Sequence, residues 1–287
     1  MKNSDITDVL FKKAIGAIDA GRITELKDLI TGNPRLIKDR LVTQEEGYFK
    51  DPYLIYFIAD NPFRNEKLAN NIADIARLLI AEVKGNAPET SKEQLNYTLG
   101  LVVTGRTPRE CGVQIELTDL FIDEGAQPGT ALGALTHGNV DAAKHLVKRG
   151  APLNLATAVG LDYKTKDIGE MIVHASESEK LIALTVAAFY GNDKLVSFLL
   201  GKGVSPNGYP SNHEGFHSHA TPLHQAVSSG SLQAVTLLVN AGASLDVQDK
   251  MYSGTPLEWA IYMQTETDDK GMNKKYNAIE DYLRSIK

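Results

Sequence analysis

The chain has 287 residues, 43% of them apolar and 23% charged, a balance ordinary for a folded, water-soluble protein. Its formal charge of −6 argues against nucleic acid or an anionic membrane surface as the main partner, because both select clustered Lys and Arg. A single cysteine, Cys111, cannot close an internal disulfide, and no stretch approaches the roughly 18 apolar residues of a membrane span. With no apolar leader after Met1-Lys2-Asn3-Ser4-Asp5, the expected setting is the cytoplasm.

In chain order, Val9 to Ala20 reads as a helix that Gly21 breaks, and Ile23 to Ile30 reads as a second. Asn33, twelve residues after Gly21, is expected to supply a left-handed cap before Pro34. A second helix pair is predicted over Tyr53 to Ala59 and Asn71 to Val83. A third covers Leu95 to Thr104 and Val113 to Asp123 and ends at Gly125-Ala126. The fourth spans Gly129 to Asn154, and the fifth spans Leu181 to Asn207.

The clearest units follow. Ala220-Thr221-Pro222-Leu223-His224-Gln225-Ala226 aligns with Gly254-Thr255-Pro256-Leu257-Glu258-Trp259-Ala260, and Leu223 and Leu257 lie 34 residues apart. Proline in a first helical turn forfeits no backbone bond, so each Thr-Pro-Leu reads as a helix start. A second ruler runs through the same units: Gly138 and Gly150, Gly191 and Gly203, and Gly230 and Gly242 are each 12 residues apart. Each pair frames one short helix. Val196, Phe198 and Leu199 match Val235, Leu237 and Leu238 as its apolar residues.

This unit of turn, helix, glycine, helix, Gly-Ala and turn resembles the ankyrin repeat, whose period is about 33 residues. The resemblance implies an all-α solenoid of about seven helix-turn-helix units with finger loops, covering the chain as one ankyrin-repeat domain. Residues 1–42 would form the N-terminal capping unit and 43–128 two divergent repeats. Residues 129–250 would hold three repeats with insertions at 162–179 and 206–219, and 251–287 the C-terminal capping unit. Arg106 to Cys111 is expected to separate the helices of the third unit. The segment from His-Ser-His to Trp259-Ala260 is also similar to a group of bacterial ankyrin proteins.

The resemblance implies a non-enzymatic scaffold that binds a protein partner, without a cofactor, as a monomer. Ankyrin proteins use their finger tips and the exposed ends of their first helices. The matching positions here are Thr136, His137, Phe189, Tyr190, Ser228, Ser229 and Tyr262 on helices, with Phe216, His217, His219, Tyr252 and Ser253 on fingers. Phe189 and Phe216 could equally pack between neighbouring fingers, and Trp259 reads as packing. The resemblance also assigns His224 to hydrogen bonds between repeats. His145 reads as a satisfied, half-buried side chain, and Cys111 as a plain loop thiol.

The alternative reading is a zinc-binding or hydrolytic protein using His213, His217 and His219. His213-Glu214-Gly215-Phe216-His217 has the His-Glu-x-x-His spacing of zinc proteases, which needs a helix to bring both imidazoles to one face. Gly208, Pro210, Asn212 and Gly215 instead mark this stretch as a turn. Asn61-Pro62-Phe63 matches a short docking peptide of trafficking proteins, but the proline reads more simply as setting a turn.

Overall fold

A computed structural model describes residues 6–43, 46–211 and 216–286, and among these residues the regular structure is helical, with no strand. The chain divides into two compact units, Met1–Pro152 and Leu153–Lys287.

In Met1–Pro152, α1 (Val9–Asp19) starts where the Asp8 carboxylate accepts the N–H groups of Leu10 and Phe11, and it buries Phe11, Ala14, Ile15 and Ile18. Gly21 turns the chain at φ +72° into α2 (Ile23–Gly32). Asn33 does not take the expected left-handed conformation. Its φ is −144°, its side-chain amide donates to the Leu29 carbonyl, and Pro34 leads into the short α3 (Arg35–Lys38).

The predicted helix at Tyr53 to Ala59 is a 3-10 helix, Leu54–Ala59, buried on every side and ended by Asp60 at φ +45°. It is followed by α4 (Ile72–Asn86), α5 (Pro88–Thr104), α6 (Arg106–Glu110), α7 (Gln114–Asp123), α8 (Leu132–Thr136) and α9 (Val140–Lys148). The stretch expected to separate the third unit's helices is thus itself the short helix α6, seated by buried Thr107 and Pro108. Two layers result. α1, the 3-10 helix, α5 and α8 are successive neighbours, and so are α2, α4, α7 and α9.

Leu153–Lys287 repeats the plan with α10 (Leu155–Gly160), α11 (Thr165–Ile172), α12 (Glu177–Phe189), α13 (Asp193–Gly201), α14 (Pro222–Ser228), α15 (Leu232–Asn240), α16 (Pro256–Glu266) and α17 (Lys270–Ser285). The first helices α10, α12, α14 and α16 pack in sequence, and α13, α15 and α17 form the second layer. Alanines at the contacts, including Ala183, Ala187 and Ala226, are fully buried and let neighbouring helices approach closely.

The expected insertion at 162–179 is not a loop. It contains α11, with Ile168 and Ile172 buried, and α11 pairs with α10 as an additional helix pair. Asp162 stands at φ +56° where the regular units carry glycine, which hid this pair from the glycine ruler. The three glycine pairs that made the ruler all have positive φ.

Candidate functional site

The consensus repeat explains how the candidate residues are held. Thr221 and His224 cap α14: the imidazole Nδ1 accepts the Thr221 N–H at 3.3 Å and lies 2.8 Å from the Thr221 hydroxyl. The other ring nitrogen, Nε2, lies 3.0 Å from the Gly254 carbonyl of the next unit. His224 therefore joins two repeats. Burial holds its pKa below the ordinary value, so the neutral ring is favoured.

The next finger is organised by Asp249, a buried carboxylate that sequence reasoning overlooked. Its oxygens accept from the N–H groups of Met251, Tyr252 and Gly254 and from the Trp259 indole, at 2.7 to 3.0 Å. The only sequence signal is an Asp five residues before the Gly-Thr-Pro turn. The Asp249 N–H also donates to the Gly254 carbonyl, and the Lys250 N–H donates to the backbone carbonyl of His219 in the preceding finger. The earlier finger is pinned from its other side. The Asn207 amide bonds to Gly242 and Ser244, Tyr209 donates to the Gln248 carbonyl, and the Lys250 ammonium lies 4.1 Å over the Tyr209 ring.

On this scaffold the aromatic side chains form a continuous series. Tyr190 meets Phe189 edge-on at 5.1 Å between centroids, and Phe189 packs against Phe216 and His217. His217 then meets His219, which lies beside both Trp259 and Tyr252. Phe216 is 0% exposed, which corrects its assignment as a surface contact. Its ring is the filling between finger and helix, because a phenyl group beside Phe189 has no polar tip to keep in water. Phe189 is half-buried in the same packing.

The remaining candidates differ in access. Tyr252 and Tyr262 are 73% and 57% exposed, and Ser253 is exposed at φ +56°. Tyr190, the C-cap of α12, is half-buried, and burial pushes its phenol up to about 12. Ser228 and Ser229 are half-buried at the end of α14. The Ser229 hydroxyl donates to the Ala226 carbonyl, and the Ser228 carbonyl accepts from the Tyr276 hydroxyl. His217 and His219 are half-buried in the aromatic series. Thr136 and His137 end α8, in Met1–Pro152.

The zinc reading finds no support in the geometry that is described. His213, Glu214 and Gly215 lie outside the described residues, while His217 is non-helical with φ +39°. Among the described residues no three His, Cys, Asp or Glu side chains converge on a point that could hold a metal ion. Two further readings concern Met1–Pro152. His145 is half-buried with Nε2 2.7 Å from Asp119, and Cys111 is exposed at the end of α6. Among the described residues no helix is long and apolar enough to cross a membrane.

The family model for ankyrin repeats, in three copies, matches residues 109–249 and again 184–267, together more than half of the chain. The stacked helix pairs, capped Thr-Pro turns and inter-repeat histidine agree with this match, and the chain belongs to the ankyrin-repeat family. Membership in that family supports a general role in protein–protein interaction. No curated protein matches the chain.

Proposed function

We propose that this chain is a non-enzymatic, cytoplasmic, monomeric scaffold that captures one protein partner on the finger and helix-end surface of Leu153–Lys287. The observation that carries this reading is the pair of exposed tyrosines, Tyr252 on a finger and Tyr262 on α16, with Tyr252 linked through the aromatic series to half-buried Tyr190. Tyrosine offers large contact area, few rotamers to freeze and a polar tip, and such residues dominate binding energy at interfaces. The fingers beneath are pre-ordered by Asp249 and Asn207, so little loop entropy is lost on association. His219 packs against Tyr252, and Ser229 lies near Gly191, the residue after Tyr190, so both can supply polar rim contacts.

The test is affinity capture from native cells with the wild-type chain and with Tyr190→Ala, Tyr252→Ala and Tyr262→Ala combined, followed by mass spectrometry. The combined variant is expected to fold and to lose the partner, since hot-spot tyrosines are each worth about 2 kcal/mol. Undiminished recovery of the same protein would place the contact surface elsewhere.

A further inference from the structure

Met1–Pro152 carries a cleft built by features that depart from the repeat. It has a volume of about 570 Å³ and is lined by Tyr48, Phe63, Thr104, Arg106, Arg109 and His137, together with Asn61 and Leu101. The added helix α6 supplies both arginines, and the end of α8 supplies His137. Phe63 comes from the irregular segment after the 3-10 helix.

That segment is held rigidly. The buried Asp60 carboxylate accepts the N–H groups of Arg64, Asn65 and Glu66 and the Thr107 hydroxyl. Arg64, whose side chain is 2% exposed, forks onto Asp19 at 2.8 and 2.9 Å and donates to the Phe57 carbonyl. Residue 64 is thus locked inward while its neighbour Phe63 stands 52% exposed. An exposed ring held on a fixed loop can seat a partner's apolar side chain with little ordering cost. Tyr48, 59% exposed, is tied to the same segment by its hydroxyl, 3.0 Å from the Asn61 side-chain oxygen.

The charge of the cleft runs against that of the chain. The protein carries −6 overall, yet among the described residues the lining holds two guanidinium groups, the His137 imidazole, which burial shifts towards its neutral form, and no carboxylate. Glu110, outside the lining, pairs with Arg106 at 2.7 Å and lies 4.0 Å from Arg109, so it orients both, and it and Glu66 partly offset the charge of Arg106. Arg109 is steadied further by Asn139, whose side-chain oxygen accepts from its Nη1 at 2.7 Å and whose amide is anchored on the Val103 carbonyl. The Arg106 guanidinium lies 5.8 Å over the Phe63 ring. Planar cations fixed beside an exposed aromatic ring suit a carboxylate with an adjoining apolar side chain, because the fork matches the carboxylate and the ring takes the apolar group.

We infer that this cleft docks an acidic peptide segment of a protein partner, with Asp or Glu carboxylates on Arg106 and Arg109 and a neighbouring apolar residue against Phe63. This inference is independent of the tyrosine surface proposed for Leu153–Lys287.

The experiment selects binders to the full chain from a displayed library of random decapeptides. Parallel selections use the Arg106→Glu/Arg109→Glu variant, the milder Arg106→Gln/Arg109→Gln variant and the triple-tyrosine variant, each confirmed as folded by its thermal transition. The wild type and the triple-tyrosine variant are expected to enrich peptides joining Asp or Glu to an apolar residue, and the charge-reversed variant is expected not to. A peptide so isolated should lose roughly tenfold in affinity to the Gln variant and weaken further with added salt. Phe63→Ala should weaken it by about fivefold. The inference is overturned if acidic sequences are not enriched, or if the arginine variants select the same peptides with unchanged affinity. If acidic peptides depend on the three tyrosines instead of the arginines, the cleft is likewise refuted and the tyrosine surface is the peptide site.

Discussion

The Asp249 carboxylate sets the shape of the finger that presents Tyr252, by accepting four hydrogen bonds in a buried position. Desolvation works to raise its pKa, but the donors from Tyr252, Trp259, Met251 and Gly254 outweigh it and hold the carboxyl at about 2. A pKa depressed in the folded state means that ionised Asp249 stabilises the fold above the ordinary carboxylate pKa. That contribution is lost as pH falls from about 4 towards 2, and it amounts to roughly 2 kcal/mol. Asp249→Asn should therefore lower stability at pH 7 by about 1–3 kcal/mol and flatten the fall of Tm between those pH values. Equal acid sensitivity in variant and wild type, followed by circular dichroism, would sink this account. At the same scale, the Thr-Pro-Leu-His string made His224 legible, because its capping contact is local and its neighbour is set by the repeat. Phe216 was open between surface and packing, since nothing in a finger's sequence says which neighbour its ring will meet.

The pairs α1–α2, α8–α9, α10–α11, α12–α13 and α14–α15 are each joined by a tight turn in which a left-handed residue reverses the chain. Gly230 shows why glycine is required: at φ +71° an added Cβ would also lie 3.0 Å from the Met272 methyl of α17. Gly230→Ala is expected to cost about 1–3 kcal/mol in denaturant unfolding, the strain of a left-handed alanine. A cost below about 0.5 kcal/mol, the range of an ordinary surface change, would show that the turn relaxes. Asp162 performs the same turn before α11, and its carboxylate accepts from the Asn192 amide at 2.9 Å. The charged stretch around it has the composition of a loop, so the α10–α11 pair emerges only from the burial of Ile168 and Ile172 against its neighbours. Ile168→Ala should destabilise by about 2–5 kcal/mol, where a solvated loop would feel almost nothing. Chemical denaturation distinguishes the two outcomes.

Across the whole molecule, Met1–Pro152 and Leu153–Lys287 are each built from helix pairs that touch mainly the next pair. In such stacks stability is close to a sum of nearest-neighbour terms. Leu79→Ala removes a fully buried side chain from α4 and should cost about 2.7–5 kcal/mol. Hydrogen exchange is expected to show loss of protection first in α2, α3, the 3-10 helix, α5 and α7, the neighbours of α4, and later in helices of Leu153–Lys287. Uniform loss across both units would contradict nearest-neighbour behaviour.

The sequence by itself determined the repeat, its Thr-Pro helix starts, the glycine turns and the residues at helix ends and finger tips. These depend on backbone conformation and on periodic burial, which short segments encode locally. Only the tertiary structure decided that Phe216 is filling, that α11 is a helix pair's second member, and that Arg106, Arg109, Phe63 and His137 share a cleft. Those outcomes are set by which side chains from distant segments exclude water together, and no spacing along one chain specifies that.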